Sequence, residues 1–363
     1  MSPSILATLS GGFVLLIIGA EIFVRGASRL ATLVGISPLV VGLTVVAFGT
    51  SSPEVAVSLQ STLAGAADLA LGNVIGSNIC NILLILGLSA TVAPLVVADQ
   101  LVRLDVPVMV VISFLLLGLT LDGALNRPDA LLLLAGAAAY TTFLIVQSRR
   151  EGIAAATPEE LAGATDGSVS SWLLNLLLIG GGLALLVFGS RWLVGSAISV
   201  AQFLGVSELV IGLTVVAIGT SLPELATSVV AAFRGERDIA VGNVVGSNIF
   251  NILLVLGVAG VAGSSGVPVA PAALSFDLPV MIAVAVACLP IFFTGHRIER
   301  WEGLLFIGYY VAYTAYLILD SARHDALPIF SAVMGLFVLP LTVITLATLS
   351  LRAWREARRS PTL

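Results

Sequence analysis

The stretch Gly42 to Gly87 returns almost letter for letter at Gly212 to Gly257, 170 residues further on. GLTVVAFGTSSPE (Gly42–Glu54) becomes GLTVVAIGTSLPE (Gly212–Glu224), and GNVIGSNICNILLILG (Gly72–Gly87) becomes GNVVGSNIFNILLVLG (Gly242–Gly257). Each copy sets an acid, amides and hydroxyls inside apolar, membrane-length segments. Polar groups at that depth are costly unless they serve a purpose, so the doubled cluster is a candidate site. Two related halves meeting near the bilayer midplane is also how many secondary transporters build an ion site.

The membrane follows from composition. The chain is 58% hydrophobic and 10% charged, with a mean hydropathy of +1.11, whereas soluble domains carry about 25% charged residues. Cys80 and Cys288 lie in apolar segments and read as small buried hydrophobes, without disulfide or metal spacing. No cleavable signal is expected, because MSPS leads straight into the first span.

Apolar runs of membrane length predict eleven helices at 4–24, 38–63, 69–93, 105–121, 130–147, 172–193, 207–233, 239–262, 277–294, 303–319 and 327–351. The duplication extends past the two motifs. Asp105-Val106-Pro107-Val108-Met109 matches Asp277-Leu278-Pro279-Val280-Met281, and Tyr140-Thr141 matches Tyr313-Thr314. The expected fold is an all-α polytopic membrane protein: two five-helix repeats plus an eleventh C-terminal helix. An odd number of spans per unit forces the second unit to enter from the opposite side, so the repeats are inverted. The corresponding units are 1–147, a polar cytoplasmic linker 148–171, 172–320, and 321–363 with the extra helix and basic tail. All sixteen basic residues are arginine, and an outside N-terminus puts thirteen of them on the cytoplasmic side against three outside. That asymmetry predicts N-out, C-in.

The clusters carry the chemistry. Thr50, Glu54 and Ser58 are spaced i, i+4, i+8 and share a helix face, as do Asn73, Ser77 and Asn81, and Asn243, Ser247 and Asn251. Pro53 and Pro223 follow GTSS and GTSL, and proline inside a helix removes a hydrogen bond. Broken helices with freed carbonyls, such as those of Ala47 and Ala217, are expected there and are tolerated at membrane depth where they line a cavity. Together these segments make a pocket rich in oxygen, with Thr220 and Ser221 beside Glu224. Hard cations want such donors, and calcium takes about six to eight of them. Softer metals favour Cys or His, and neither His296 nor His324 lies in a span. Two glutamates balance one divalent ion; emptied, they repel each other, so protons or monovalent cations must replace it.

Plainer readings apply elsewhere. Gly72-xxx-Gly76 and Gly242-xxx-Gly246 read as close helix packing. Asp68, Asp238, Asp105 and Asp277 open spans and read as helix N-caps. Glu21 and Glu208 lie near span ends, where they snorkel or pair with neighbours such as Arg25.

At GTSSPE with GNVIGSNICN, and at GTSLPE with GNVVGSNIFN, the chain resembles the cation/calcium antiporter superfamily, and most closely the prokaryotic sodium/calcium exchangers. The resemblance covers spans one to ten, and it implies ten core helices in two inverted halves. It implies calcium ligation by Glu54 and Glu224 with Thr50, Thr220 and the carbonyls of Ala47 and Ala217. It implies sodium sites completed by Ser51, Ser77, Asn81, Ser221, Ser247 and Asn251. Spans one and six then resemble gating helices that slide across the core. Some sodium-driven members carry an aspartate where this chain has Asn251, which leaves this pocket less negative.

The expected function is therefore Ca2+/Na+ antiport by alternating access, with Ca2+/H+ antiport through the same glutamates as the alternative and a cation channel as the alternative class. No enzyme activity is expected, since a serine hydrolase needs a base beside its nucleophile and no span holds a histidine. No cofactor and no nucleic acid are expected; the ligands are the transported ions and lipid, a monomer suffices, and the location is a prokaryotic inner membrane.

Overall fold

In a computed structural model of the chain, residues 3–155, 169–206, 208–263 and 266–359 are described. They are almost wholly helical, as a backbone in lipid requires. Nine continuous helices among the described residues are long and apolar enough to cross a membrane, and Pro38–Thr50 with Ser52–Leu63 forms one more span, bent by 42°. The seventh predicted span is built from Glu208–Ile211, Gly212–Val216, Ala217–Gly219 and Leu222–Arg234.

The two helices that carry the GNVxGSN motifs form the centre. Asp68–Val92 and Arg237–Ala262 are 72% and 83% buried over their most apolar windows, whereas Leu327–Leu349 is 0% buried. The eleventh helix therefore lies at the rim with Leu336 and Phe337 exposed, tied to the bundle by a hydrogen bond between the Tyr309 and Thr342 hydroxyls. Local π-helical turns widen the helices at Gly42–Val46, Asn81–Leu86 and Leu101–Asp105, and again at Gly212–Val216, Asn251–Val255 and Ala273–Asp277. Such turns re-aim side chains and gather at functional sites.

The relation between the halves shows in four short strands. Leu95–Val96 (β1) pairs antiparallel with Arg297–Ile298 (β4), and Ala124–Leu125 (β2) with Val267–Pro268 (β3). By sequence correspondence β1 matches β3 and β2 matches β4, so exchanging the halves turns each small sheet into the other. This two-fold exchange is consistent with an inverted repeat.

The first helix, Ser4–Val34, and the sixth, Trp172–Phe203, run antiparallel along a ladder of glycines. A Cβ on Gly12 would lie 2.9 Å from the Gly189 carbonyl oxygen, and one on Gly19 would lie 2.9 Å from that of Gly182. The reverse contacts, Gly189 to Gly12 and Gly182 to Gly19, are 2.9 and 2.8 Å. Only hydrogen fits at these positions, so backbone meets backbone with no side-chain knob between them.

Several expected details change. Helix one continues ten residues past 24, so Glu21 is not at a span end; its carboxylate pairs with Arg25 at 2.7 Å, as expected, and also with Arg234 of another helix. The side chain of Glu208 lies outside the described residues, as do Glu159, Glu160 and Asp166 of the linker and the arginine side chains of the tail. The four aspartates are not caps. Asp68 and Asp238 sit inside the first helical turn with no capping bond. Helices four and nine start a turn earlier than expected, leaving Asp105 and Asp277 inside them. There Asp105 accepts from Tyr140 at 2.8 Å and Gln100 at 3.2 Å, and Asp277 from Tyr313 at 3.3 Å. The repeated Asp and Tyr letters are thus one repeated bond between neighbouring helices. Gly242 and Gly246 pack closely, with added Cβ atoms 2.9 and 2.6 Å from the carbonyls of Leu39 and Leu43, but Gly72 and Gly76 have no atom within 4 Å among the described residues. Cys80 and Cys288 are free and buried.

Candidate functional site

Both helix breaks fall at the same letter. Ser51 and Ser221 have φ, ψ of −80°, 5° and −87°, 8°, and the helix restarts at Ser52 and at Leu222 with proline in its first two positions. Proline suits those positions because its missing N–H would have no partner there. Glu54 and Glu224 therefore stand in the first turn of a restarted helix, where unpaired N–H groups and the helix dipole favour a carboxylate. The sequence GTSxPE thus both breaks the helix and delivers an acid to the new N-terminus.

The two halves lace across each other. Ser51 Oγ donates to Glu224 Oε1 at 3.0 Å and lies 3.2 Å from Ser247 Oγ. Ser221 Oγ reaches Glu54 Oε1 at 3.5 Å and lies 3.3 Å from Ser77 Oγ. Each glutamate is thus supported by the GTS turn of the opposite repeat. Thr50, Ser51, Glu54, Ser77, Asn81, Ser221, Glu224, Ser247 and Asn251 are all buried, while Thr220 is half-buried. The structure brings these predicted residues together. Ala47 is buried, but its carbonyl is not freed by the break: it accepts from Ser51 N at 3.0 Å and from Thr50 Oγ1 at 3.4 Å. Ala217 lies in the matching helical piece, and its side chain is outside the described ones.

A second layer of amides supports this one. Asn243 Oδ1 accepts from Thr50 at 3.1 Å, while its Nδ2 donates to Ser228 at 2.9 Å and to the Glu224 carbonyl at 3.4 Å. Asn73 donates to Ser58 at 3.0 Å, the same bond in the other half. Asn78 donates to the Asn248 carbonyl and accepts from Asn251. The face periodicity that selected Asn81 and Asn251 passed over Asn78 and Asn248; their repetition in GSNIxN was the signal that marked them.

Five buried oxygens in this cluster have no hydrogen-bond partner among the described residues: Glu54 Oε2, Glu224 Oε2, Thr220 Oγ1, Asn81 Oδ1 and Asn251 Oδ1. An unsatisfied buried acceptor is expensive. Two of these belong to carboxylates, and the paired acids create a strongly cation-attracting interior. Among the described residues no group of three His, Cys, Asp or Glu side chains gathers as a transition-metal site would. The donor set is carboxylate, hydroxyl and amide oxygen.

Helices one and six lean directly on the breaks. A Cβ on Gly49 would lie 3.0 Å from Phe23 of helix one, and one on Gly219 would lie 2.9 Å from Val194 of helix six. The paired outer helices therefore touch the glycine that precedes each Thr-Ser turn.

Comparison with known proteins agrees with this geometry. Residues 4–146 and 174–319 match the protein family described as sodium/calcium exchanger protein. The chain is 39% identical over 316 residues to the inner membrane protein YrbG of Escherichia coli, covering 86% of this chain and 96% of that one. It is 35% identical over 346 residues to the sodium/calcium exchanger MaX1 of Methanosarcina acetivorans, covering 84% and 96%. Among solved structures, the sodium-calcium exchanger NCX_Mj superposes with a TM-score of 0.75 at 31% identity, over 87% of this chain and 100% of that one. The two matched segments coincide with the two repeats, and the chain belongs to the sodium/calcium exchanger family.

Proposed function

We infer that this protein is a secondary active antiporter that exchanges Ca2+ for Na+ across the membrane by alternating access. The observation that carries the reading is the pair of buried glutamates, each on a restarted helix and each with an Oε2 that has no partner among the described residues. Calcium sits between Glu54 and Glu224, with Thr50, Thr220 and the carbonyls of Ala47 and Ala217 as neutral ligands. Ser51, Ser77 and Asn81, and Ser221, Ser247 and Asn251, complete the flanking sodium sites. Two negative charges hold one divalent ion, and removing it leaves repelling carboxylates that monovalent cations must screen. That requirement makes the process an exchange.

The four units proposed are the repeats 1–147 and 172–320, the linker 148–171, and the appended segment 321–363. One chain holds both repeats and hence a whole pocket. The protein resides in a prokaryotic inner membrane, with its N-terminus outside and its arginine-rich C-terminus in the cytoplasm, as the arginine count supports.

Radiolabelled calcium uptake into proteoliposomes tests the function. Loading with sodium should drive uptake; a proton gradient without sodium should not. Uptake driven by protons alone would make the protein a calcium/proton antiporter, and flux with neither gradient would make it a channel.

Position 251 gives a finer test. Asn251→Asp adds a third carboxylate to the pocket, so calcium uptake should depend more steeply on sodium concentration than in the wild type. An unchanged sodium dependence would remove this position from the sodium sites.

A further inference from the structure

Asn78 and Asn248 occupy equivalent places on the two central helices, and both are buried. Their amides are used differently. Asn78 Nδ2 lies 3.2 Å from the backbone carbonyl of Asn248 and 3.6 Å from Met281 Sδ, both of which only accept. The amino end of Asn78 is therefore fixed toward them, and its Oδ1 must face the other way. There it accepts from Asn251 Nδ2 at 3.0 Å. Asn251 is held in turn by its own amino end, and its Oδ1 is left buried without a partner among the described residues. The other half lacks this chain of bonds among the described residues: Asn248 Nδ2 turns to the Val244 carbonyl at 2.7 Å, and neither end of the Asn81 amide has a partner there.

We propose that Asn78 is a positioning residue of the exchange site, which locks the Asn251 amide so that its oxygen is presented to the transported cation. The proposal rests on the reading of this pocket as the Ca2+/Na+ site. An amide turned the other way would aim N–H hydrogens at a cation, so orientation decides whether residue 251 attracts or repels. Asn251 is pre-oriented from a backbone carbonyl through one intermediate side chain, whereas Asn81 must choose its orientation as ions enter. Two repeats of nearly the same sequence thereby acquire one fixed and one adaptable amide ligand. The bonding also selects an amide over an acid at position 251, because a carboxylate has no N–H to offer Asn78 Oδ1.

The test is a double-mutant cycle read as sodium-driven calcium uptake, with wild type and Glu54→Gln run alongside. Outer-shell partners of metal ligands typically contribute 10–100-fold to affinity, so Asn78→Ala should raise the KM for sodium, the ion Asn251 serves, about tenfold with little change in maximal rate. In an Asn251→Ala background the same substitution should add nothing, since the amide it orients is gone. In an Asn81→Ala background it should keep its full effect. If purified Asn78→Ala is not folded, Asn78→Ser is read in its place. A purely structural role would lower maximal rate and thermal stability alike in every background. An unchanged KM, or equal effects in the Asn251→Ala and Asn81→Ala backgrounds, would overturn the assignment. Absent sodium-driven uptake in the wild type, or full uptake by Glu54→Gln, would instead overturn the site reading beneath it.

Discussion

Glu54→Gln and Glu224→Gln should each abolish calcium uptake while leaving the protein folded. At the effective dielectric of protein sites a carboxylate about 4 Å from a single positive charge contributes on the order of 4 kcal/mol, which is a lower bound for a divalent ion. Its loss corresponds to roughly a thousandfold in affinity, before any relaxation of the neighbouring ligands. Gln keeps the volume and one carbonyl oxygen, so packing is retained. Burying a carboxylate without its ion is costly, so each amide variant should be at least as heat-stable as the wild type in calcium-free buffer. Both readouts are needed: calcium uptake in proteoliposomes and melting of the purified protein. If either variant transports calcium normally, the site assignment fails. If either loses transport together with several degrees of melting temperature, the glutamates serve packing instead.

The second large effect lies outside the pocket. Gly182→Leu should reduce exchange more than about tenfold while calcium binding to the purified protein stays close to the wild type. At Gly182 even a Cβ would meet Phe23 N at 2.6 Å and the Gly19 carbonyl at 2.8 Å. These are backbone atoms and cannot swing away, so helices one and six must part. Neither helix supplies a predicted ligand, so the pocket itself should persist. A glycine ladder has no knobs to lock its register, and the same two helices touch the breaks at Gly49 and Gly219. Gly181→Ala is the control, since nothing lies within 4 Å of its added carbon, and it should transport normally. Normal exchange by Gly182→Leu would show that the close contact is dispensable. Loss of calcium binding would show that the ladder shapes the pocket.

Much of this was legible in the letters. A polar motif repeated inside apolar spans stands out wherever the alternative is lipid, so Glu54, Glu224, Ser77 and Asn251 could be named before any coordinates. Counting spans was enough to expect an inverted arrangement, with which the crossed strand pairs are consistent. What escaped the sequence depended on partners in other helices. Asp105 looked like a cap because a hydropathy window stops at a charge; Tyr140, 35 residues away, satisfies it and lets the helix start earlier. Glu21 looked like a span end for the same reason, until Arg234 reached it from another helix. Glycines seven residues apart in helix one carry little meaning alone, and only the antiparallel partner makes them a ladder. Asn78 falls off the face that carries Ser77's ring of partners, so periodicity passed over it, although it bonds directly to Asn251.

The most direct test of the central claim is calcium binding to the purified protein, titrated at a series of sodium concentrations. If one pocket built on Glu54 and Glu224 serves both ions in turn, the apparent Kd for calcium should rise with sodium more steeply than in proportion, and Glu54→Gln should lose the high-affinity binding altogether. Calcium affinity indifferent to sodium would contradict a shared exchange site.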